Sequence, residues 1–182
     1  MTIKEKVSIS KYISIVLRHK PEIAGITLDA NGWADVNDLI DGIRKNKRRF
    51  ITVNNIKEID ATSDKQRFTF NDDYTKIRAN HGHSVSVDLE LEERMPPAAL
   101  YHGTSTKSII NIMTNGIKSM SRLYVHLSST EEAASAIGKR RGAPVILIID
   151  AQLMYNDGFK FYKSANNIWL TEFIPVDYIR KV

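Results

Sequence analysis

Ile9, Tyr12, Ile13, Val16 and Leu17 recur at steps of three and four, which sets them on one helical face. Pro21, just after Arg18-His19-Lys20, marks where that helix must stop, because proline lacks the amide and clashes with the turn before it. A second helix is expected from Asp35, with Val36, Leu39, Ile40 and Ile43 turned inward and Gly42 tolerated within it. Thr52 opens a third, carrying Val53, Ile56 and Ile59 on one side. The period then falls to two. Residues 67–70 and 76–79 read as short strands joined across the turn-prone Asn71-Asp72-Asp73.

The second half has another rhythm. Residues 99–102 predict a strand and 106–115 a helix, with Gly116 placed as its C-terminal stop. Residues 124–127 predict a further strand. Ser129 and Glu132 have the capping-box spacing of a helix running to about Arg140. The unbroken apolar run 145–149 predicts a buried strand, and 159–162, 168–171 and 178–181 predict shorter ones. Met95-Pro96-Pro97-Ala98 is the expected boundary, since consecutive prolines interrupt both helix and sheet. The chain is therefore expected to be α+β, with lobes at 1–95 and 98–182. Three helices followed by a hairpin is the order of a winged-helix module, which docks on nucleic acid and also serves in protein contacts.

Composition narrows the chemistry. Of 182 residues, 42% are hydrophobic and 26% charged, a globular balance. Cysteine is absent, so disulfide frameworks, thiolate metal sites and cysteine nucleophiles are excluded. No apolar stretch reaches the roughly 20 residues of a membrane span, and residues 1–11 lack a secretory apolar core, so a cytoplasmic protein is expected. The net charge of +5 is uneven. Residues 1–87 hold 15 basic and 11 acidic side chains, 88–97 hold one and four, and 98–182 hold ten and six. Two basic blocks flanking an acidic bridge suit a polyanion lying across two lobes.

Individual residues leave alternatives open. Arg18 and His19 at a helix C-terminus either complement the dipole or clamp a phosphate, with Lys20 serving both readings. Lys65, Arg67, Arg78, His81 and His83 line the hairpin either as a solvated face or as an RNA-binding wing. No carboxylate or cysteine joins His81 and His83 in a ligand set, so no metal is expected. Tyr101-His102-Gly103-Thr104-Ser105 leaves a strand through glycine toward a helix, an arrangement whose amides could hold a pyrophosphate, though many β-to-α loops share it. His126 and Ser128 lie on a second strand, four residues or more beyond Arg122; each histidine taken singly reads more readily as a satisfied half-buried side chain than as a catalyst.

Taken together, the segments resemble the RNA 2′-phosphotransferase family, the NAD-dependent enzymes of tRNA splicing and their bacterial relatives. The likeness rests on Ser10-Lys11, Leu17 to Pro21, Leu28-Asp29, Gly32-Trp33, Asp64 to Phe68, Ile77 to Ser84, Tyr101 to Thr104, Arg122 and Val125 to Ser128. Gly138, Arg140, Gly142, Pro144 and Asn167 to Thr171 complete it. The resemblance implies a winged-helix RNA lobe joined to an ADP-ribosyltransferase lobe, with the active site between them. It implies transfer of an RNA 2′-phosphate to NAD⁺, giving 2′-hydroxyl RNA, nicotinamide and ADP-ribose 1″,2″-cyclic phosphate through an ADP-ribosylated RNA intermediate. It assigns Arg18, His19, Arg67 and Arg122 to catalysis. His102, Gly103, Thr104, His126, Ser128 and Ile168 fall to NAD, and Lys20, Lys65, Arg78 and His83 to RNA. His81 and Leu123 depart from the family's usual residues, which bears on RNA fit near the wing. A monomer is expected. Two alternatives are ADP-ribosylation of terminal phosphates on RNA or DNA, which uses the same cleft, and a catalytically silent winged-helix binder, which would not require Arg122, His102 and His126 together.

Overall fold

The computed structural model describes residues 1–63 and 65–181. Asp64, part of one quoted motif, lies outside the described residues. The chain divides into two compact units, Met1–Glu90 and Leu91–Val182.

In the first unit, α1 (Ile3–Arg18) starts with a capping box between Thr2 and Glu5 and buries Ile9, Ser10, Tyr12, Ile13, Val16 and Leu17. Pro21 ends the helix as expected and starts a 3₁₀ turn, Pro21–Ala24. β1 (Ala34–Asp35) leads into α2 (Val36–Lys47), where the Asp35 carboxylate accepts from the amides of Asn37 and Asp38. Gly42 does more than survive in this helix: a Cβ there would stand 2.5 Å from the Ala24 carbonyl oxygen. α3 (Val53–Ala61) is capped by Thr52. β2 (Phe68–Phe70) and β3 (Lys76–Ala79) form the expected hairpin, pairing Phe68 with Ala79 and Phe70 with Ile77. β1 was not expected. It joins the other edge of β3, pairing Ala34 with Ile77, to give a three-stranded antiparallel sheet ordered β1-β3-β2. One core of Ile13, Leu17, Leu39, Ile43, Ile51, Ile56, Phe68 and Ile77 joins the helices to this sheet.

In the second unit, β4 (Leu100–Ser105) feeds directly into α4 (Thr106–Asn115), which Gly116 terminates at φ +74°. β5 (Ile117–Lys118) and β6 (Val125–Leu127) follow. α5 (Glu131–Gly138) is capped by Thr130, whose hydroxyl accepts from the Ala133 amide at 3.3 Å, so the cap falls one residue after the expected Ser129. β7 (Pro144–Ile149) buries Leu147 and Ile149 while Ile146 and Ile148 are half-buried. The apolar run thus belongs to a strand with one face better covered than the other. α6 (Ala151–Asn156), which no apolar period announced, precedes β8 (Tyr162–Lys163), β9 (Trp169–Thr171), β10 (Phe173–Ile174) and β11 (Ile179–Lys181). The sheets are antiparallel, ordered β11-β7-β4, β6-β9-β8 and β10-β5. Leu100, Leu127, Leu147, Ile149, Met154 and Phe161 centre the second core.

Two glycines set the packing of α5 on β4. A Cβ on Gly103 would stand 1.8 Å from the Ala134 carbonyl oxygen, and one on Gly138 would stand 2.8 Å from that of Thr104. Helix and strand backbones therefore touch with no side chain between them.

Candidate functional site

The first cluster is built at the end of α1. Arg18 is the last helical residue and His19 the C-cap, where unsatisfied carbonyls favour cations. Residues 82–85 strap this end. The Arg18 carbonyl accepts from the amides of Ser84 at 2.9 Å and Val85 at 3.3 Å. The Ser84 hydroxyl lies 2.9 Å from His19 Nδ1. Gly82, at φ +87°, brings the strap against the Arg18 side chain, so a Cβ there would stand 3.7 Å from Nη1. Arg18 Nε and Nη2 are shielded from solvent.

Arg67 approaches from the start of β2. Its amide and that of Phe68 donate to one oxygen, Asp60 Oδ1, at 2.7 and 3.3 Å. Its Nη1 donates to the hydroxyls of Ser10 at 3.0 Å and Ser63 at 3.3 Å. Because Ser10 is buried on α1, this guanidinium is laid along the helix that carries Arg18. Burial pushes the Asp60 carboxyl above the usual carboxylate range, against the opposing pull of those amides and the charges of Arg67 and Arg18. One carboxyl therefore senses both guanidinium groups. Arg18 and His19 at the end of α1, with Arg67 laid along that helix, make this a cationic corner, held by Ser10, Asp60, Ser63 and Ser84. None of those four was assigned a role from sequence, although Ser10 and Ser84 lie within the quoted motifs.

The residues expected at an RNA surface separate into two kinds. Lys20 and Lys65 are exposed. Arg78 is turned inward: its guanidinium lies 4.5 Å from the Trp33 ring centroid and donates to the Asn31 carbonyl and Glu90 at 3.3 Å each. His83 is buried, 1% exposed, with neither ring nitrogen hydrogen-bonded. Burial lowers it to about 4, assisted by the charges of Arg18, His19 and Arg78. His83 is thus a neutral ring inside the first unit, and its burial removes it from an RNA-facing surface.

The second cluster lies where β4 meets β6. Tyr101 and Ser128 exchange backbone hydrogen bonds of 2.9 and 2.8 Å, joining the two larger sheets. His102 Nδ1 lies 3.2 Å from the His126 carbonyl oxygen. A carbonyl only accepts, so in this contact Nδ1 carries the proton. Continuing the β6–β9 register sets Ile168 opposite Ser128. His102, His126 and Ile168 are half-buried, and Arg122 is exposed in the turn before β6. Thr104 and Ser128 are 2% and 6% exposed. Gly103 has a packing reason to be glycine beside the expected ligand approach, since the α5 backbone fills the space its side chain would take. Among the described residues, no three histidine or carboxylate side chains converge as a metal-ligand group, and no helix is long and apolar enough to cross a membrane.

Residues 4–173 match the family model described as RNA 2'-phosphotransferase, Tpt1 / KptA family. A protein of Flavobacterium johnsoniae named "Probable RNA 2'-phosphotransferase" is 51% identical over 172 residues, covering 94% of each chain. Proteins with the same name from Fusobacterium nucleatum and Pectobacterium atrosepticum are 46% and 45% identical. The first alignment covers 96% of this chain and 97% of the relative, the second 98% and 99%. With a match of this extent running through both clusters, the chain belongs to the RNA 2′-phosphotransferase, Tpt1 / KptA family.

Proposed function

We propose that this protein removes the 2′-phosphate from RNA by transferring it to NAD⁺. In this reading Met1–Glu90 is a winged-helix RNA lobe and Leu91–Val182 an ADP-ribosyltransferase-like lobe. The observation that carries the proposal is the cationic corner of Arg18, His19 and Arg67, found in a chain of this family. A phosphate monoester has a second pKa near 6, so at neutral pH it is already a competent anionic nucleophile and needs no general base. What it needs is orientation and charge compensation, which fixed guanidinium groups supply.

The chemistry then follows in two displacements. A phosphate oxygen attacks C1 of the nicotinamide ribose, breaking the glycosidic bond and releasing neutral nicotinamide. The adjacent ribose 2-hydroxyl next attacks phosphorus and loses its proton to solvent. The bond to the RNA 2′-oxygen breaks, and that oxygen takes a proton. Arg18 and Arg67 hold the phosphate while charge gathers on it, and Arg122 is a further cation proposed for the reaction. His19, anchored through Nδ1 by Ser84, presents Nε2 to the departing RNA oxygen. The second cluster fits the co-substrate: His102, His126 and Ile168 give a half-buried, partly apolar wall beside Ser128, with His102 oriented by its Nδ1 contact to the His126 carbonyl. Gly103 and Thr104 support that wall through their packing on α5.

The test is direct. Incubation with a 2′-phosphorylated oligonucleotide and NAD⁺ should give 2′-hydroxyl RNA, nicotinamide and the cyclic phosphate, resolved by chromatography and mass spectrometry. The phosphate remaining on RNA with NAD⁺ intact would refute the proposal.

A further inference from the structure

One charged feature of the first unit takes no part in the chemistry above. The end of α2 and the residues after it carry Arg44, Lys45, Lys47, Arg48 and Arg49, five cations within six positions, followed by Phe50. All six side chains are exposed, Phe50 at 80%. Arg44 pairs with Asp41 at 3.0 Å and Arg49 with Glu5 at 2.6 Å. Among the described residues Lys45, Lys47 and Arg48 form no ion pair, so a surplus of three positive charges remains. The Arg44 guanidinium lies 5.0 Å from the Phe50 ring centroid, which leaves the aromatic ring solvated beside the cations. Arg48 turns the chain at φ 50°. An aromatic this exposed contributes nothing to the core, yet stacked bases need such a surface, with cations along it to follow phosphates.

The distance to the cationic corner can be read along α1. Arg49 is tied to Glu5, and Arg18 lies thirteen residues further along the same helix. At about 1.5 Å per residue this is about 20 Å along the axis. Ser10, which holds Arg67, lies five residues from Glu5, about 7.5 Å along the axis, so at about 3.4 Å per stacked nucleotide about two to six nucleotides separate the two places.

We propose that residues 44–50 form a second RNA-binding surface. It grips single-stranded RNA about two to six nucleotides from the phosphate being transferred, through Lys45, Lys47 and Arg48 on the backbone and Phe50 against a base. This rests on the proposed function for the identity of the substrate, and it adds a preference for length that the reacting phosphate alone does not create.

Two measurements test it, on wild type and on Lys45→Glu/Arg48→Glu and Phe50→Ala variants. The first compares kcat/KM on a trinucleotide and a 20-nucleotide RNA, each with one central 2′-phosphate. Wild type should favour the longer RNA about tenfold; both variants should lose that preference and keep trinucleotide kcat/KM. The second measures binding of unphosphorylated 20-nucleotide RNA by fluorescence anisotropy. The charge variant should bind about tenfold more weakly and flatten the dependence of log K on log salt by about one unit per lost phosphate contact. If wild type transfers phosphate from neither RNA but the binding results hold, the proposed function fails and the surface stands. Equal binding by wild type and both variants would overturn the surface. So would a loss confined to phosphatidylserine vesicles, or equal losses on duplex RNA with no effect of Phe50→Ala.

Discussion

Gly103→Ala separates two accounts of the same residue. A Cβ at this position would stand 1.8 Å from the Ala134 carbonyl oxygen, 2.6 Å from its carbon and 3.0 Å from the Gly138 amide nitrogen. Ordinary contact needs about 3.5 Å, so α5 would have to retreat by about 1.7 Å. The obstacles are backbone atoms, so rotation of a side chain gives no relief. Overpacking costs about 1–3 kcal/mol when side chains can adjust, and here the upper value or more is expected. For a chain of this size 1 kcal/mol corresponds to about 2–4 °C in Tm, so Gly103→Ala should melt at least about 6–12 °C lower. The fall should be present without any ligand. Circular dichroism would report the whole chain, and Trp169 fluorescence in a Trp33→Phe background would report the second unit. Adding Ala134→Gly should restore nothing, since the clash is with a carbonyl. A variant melting within 2 °C of wild type, yet unable to bind NAD⁺, would refute the packing account and restore the glycine to ligand approach.

Other perturbations address the first cluster and Arg122. His83 has a folded-state pKa of about 4 against an ordinary 6.5, so the unfolded chain binds more protons in that window. Stability should therefore be complete above pH 6.5 and fall as pH drops toward 4, by about 3 kcal/mol for this residue. The difference in urea midpoint between wild type and His83→Phe across that range should carry the slope, and parallel curves would contradict it. Ser84→Ala should lower kcat about 2- to 13-fold, the worth of one hydrogen bond, with KM for RNA little changed and Ser84→Thr restoring the rate. Equal loss in Ser84→Thr would show that the hydroxyl does not orient His19. Arg122→Ala should lower kcat at least about 100-fold while Tm stays within about 2 °C, because the side chain is exposed. Arg67→Ala should lose both activity and stability, since Ser10 and Ser63 lose their donor. Matching Tm values for these two variants would place Arg67 outside the cluster described.

Helices with a clear apolar period were legible, and so were their ends. The caps Asp35 and Thr52 and the stops at Pro21 and Gly116 act through atoms a few residues away, whereas the Thr2 cap was read only from the structure. The hairpin of β2 and β3 was legible for the same reason. The two-residue strands β1, β5 and β10 and the short helix α6 were not, because too few residues exist to show a period. The shift of the α5 cap from Ser129 to Thr130 is a one-residue ambiguity between two adjacent hydroxyls, decided by where the strand before it ends.

For the candidate site, the sequence by itself determined membership of the family, because ordered motifs need no coordinates to be read. It also determined the absence of thiol chemistry and the basic character of both halves. Only the tertiary structure decided what surrounds those residues. It laid Arg67 along α1 through Ser10, held His19 by Ser84, withdrew Arg78 onto Trp33 and buried His83 as a neutral ring. These distinctions depend on burial and on partners as many as 65 positions away, neither of which is a property of local sequence.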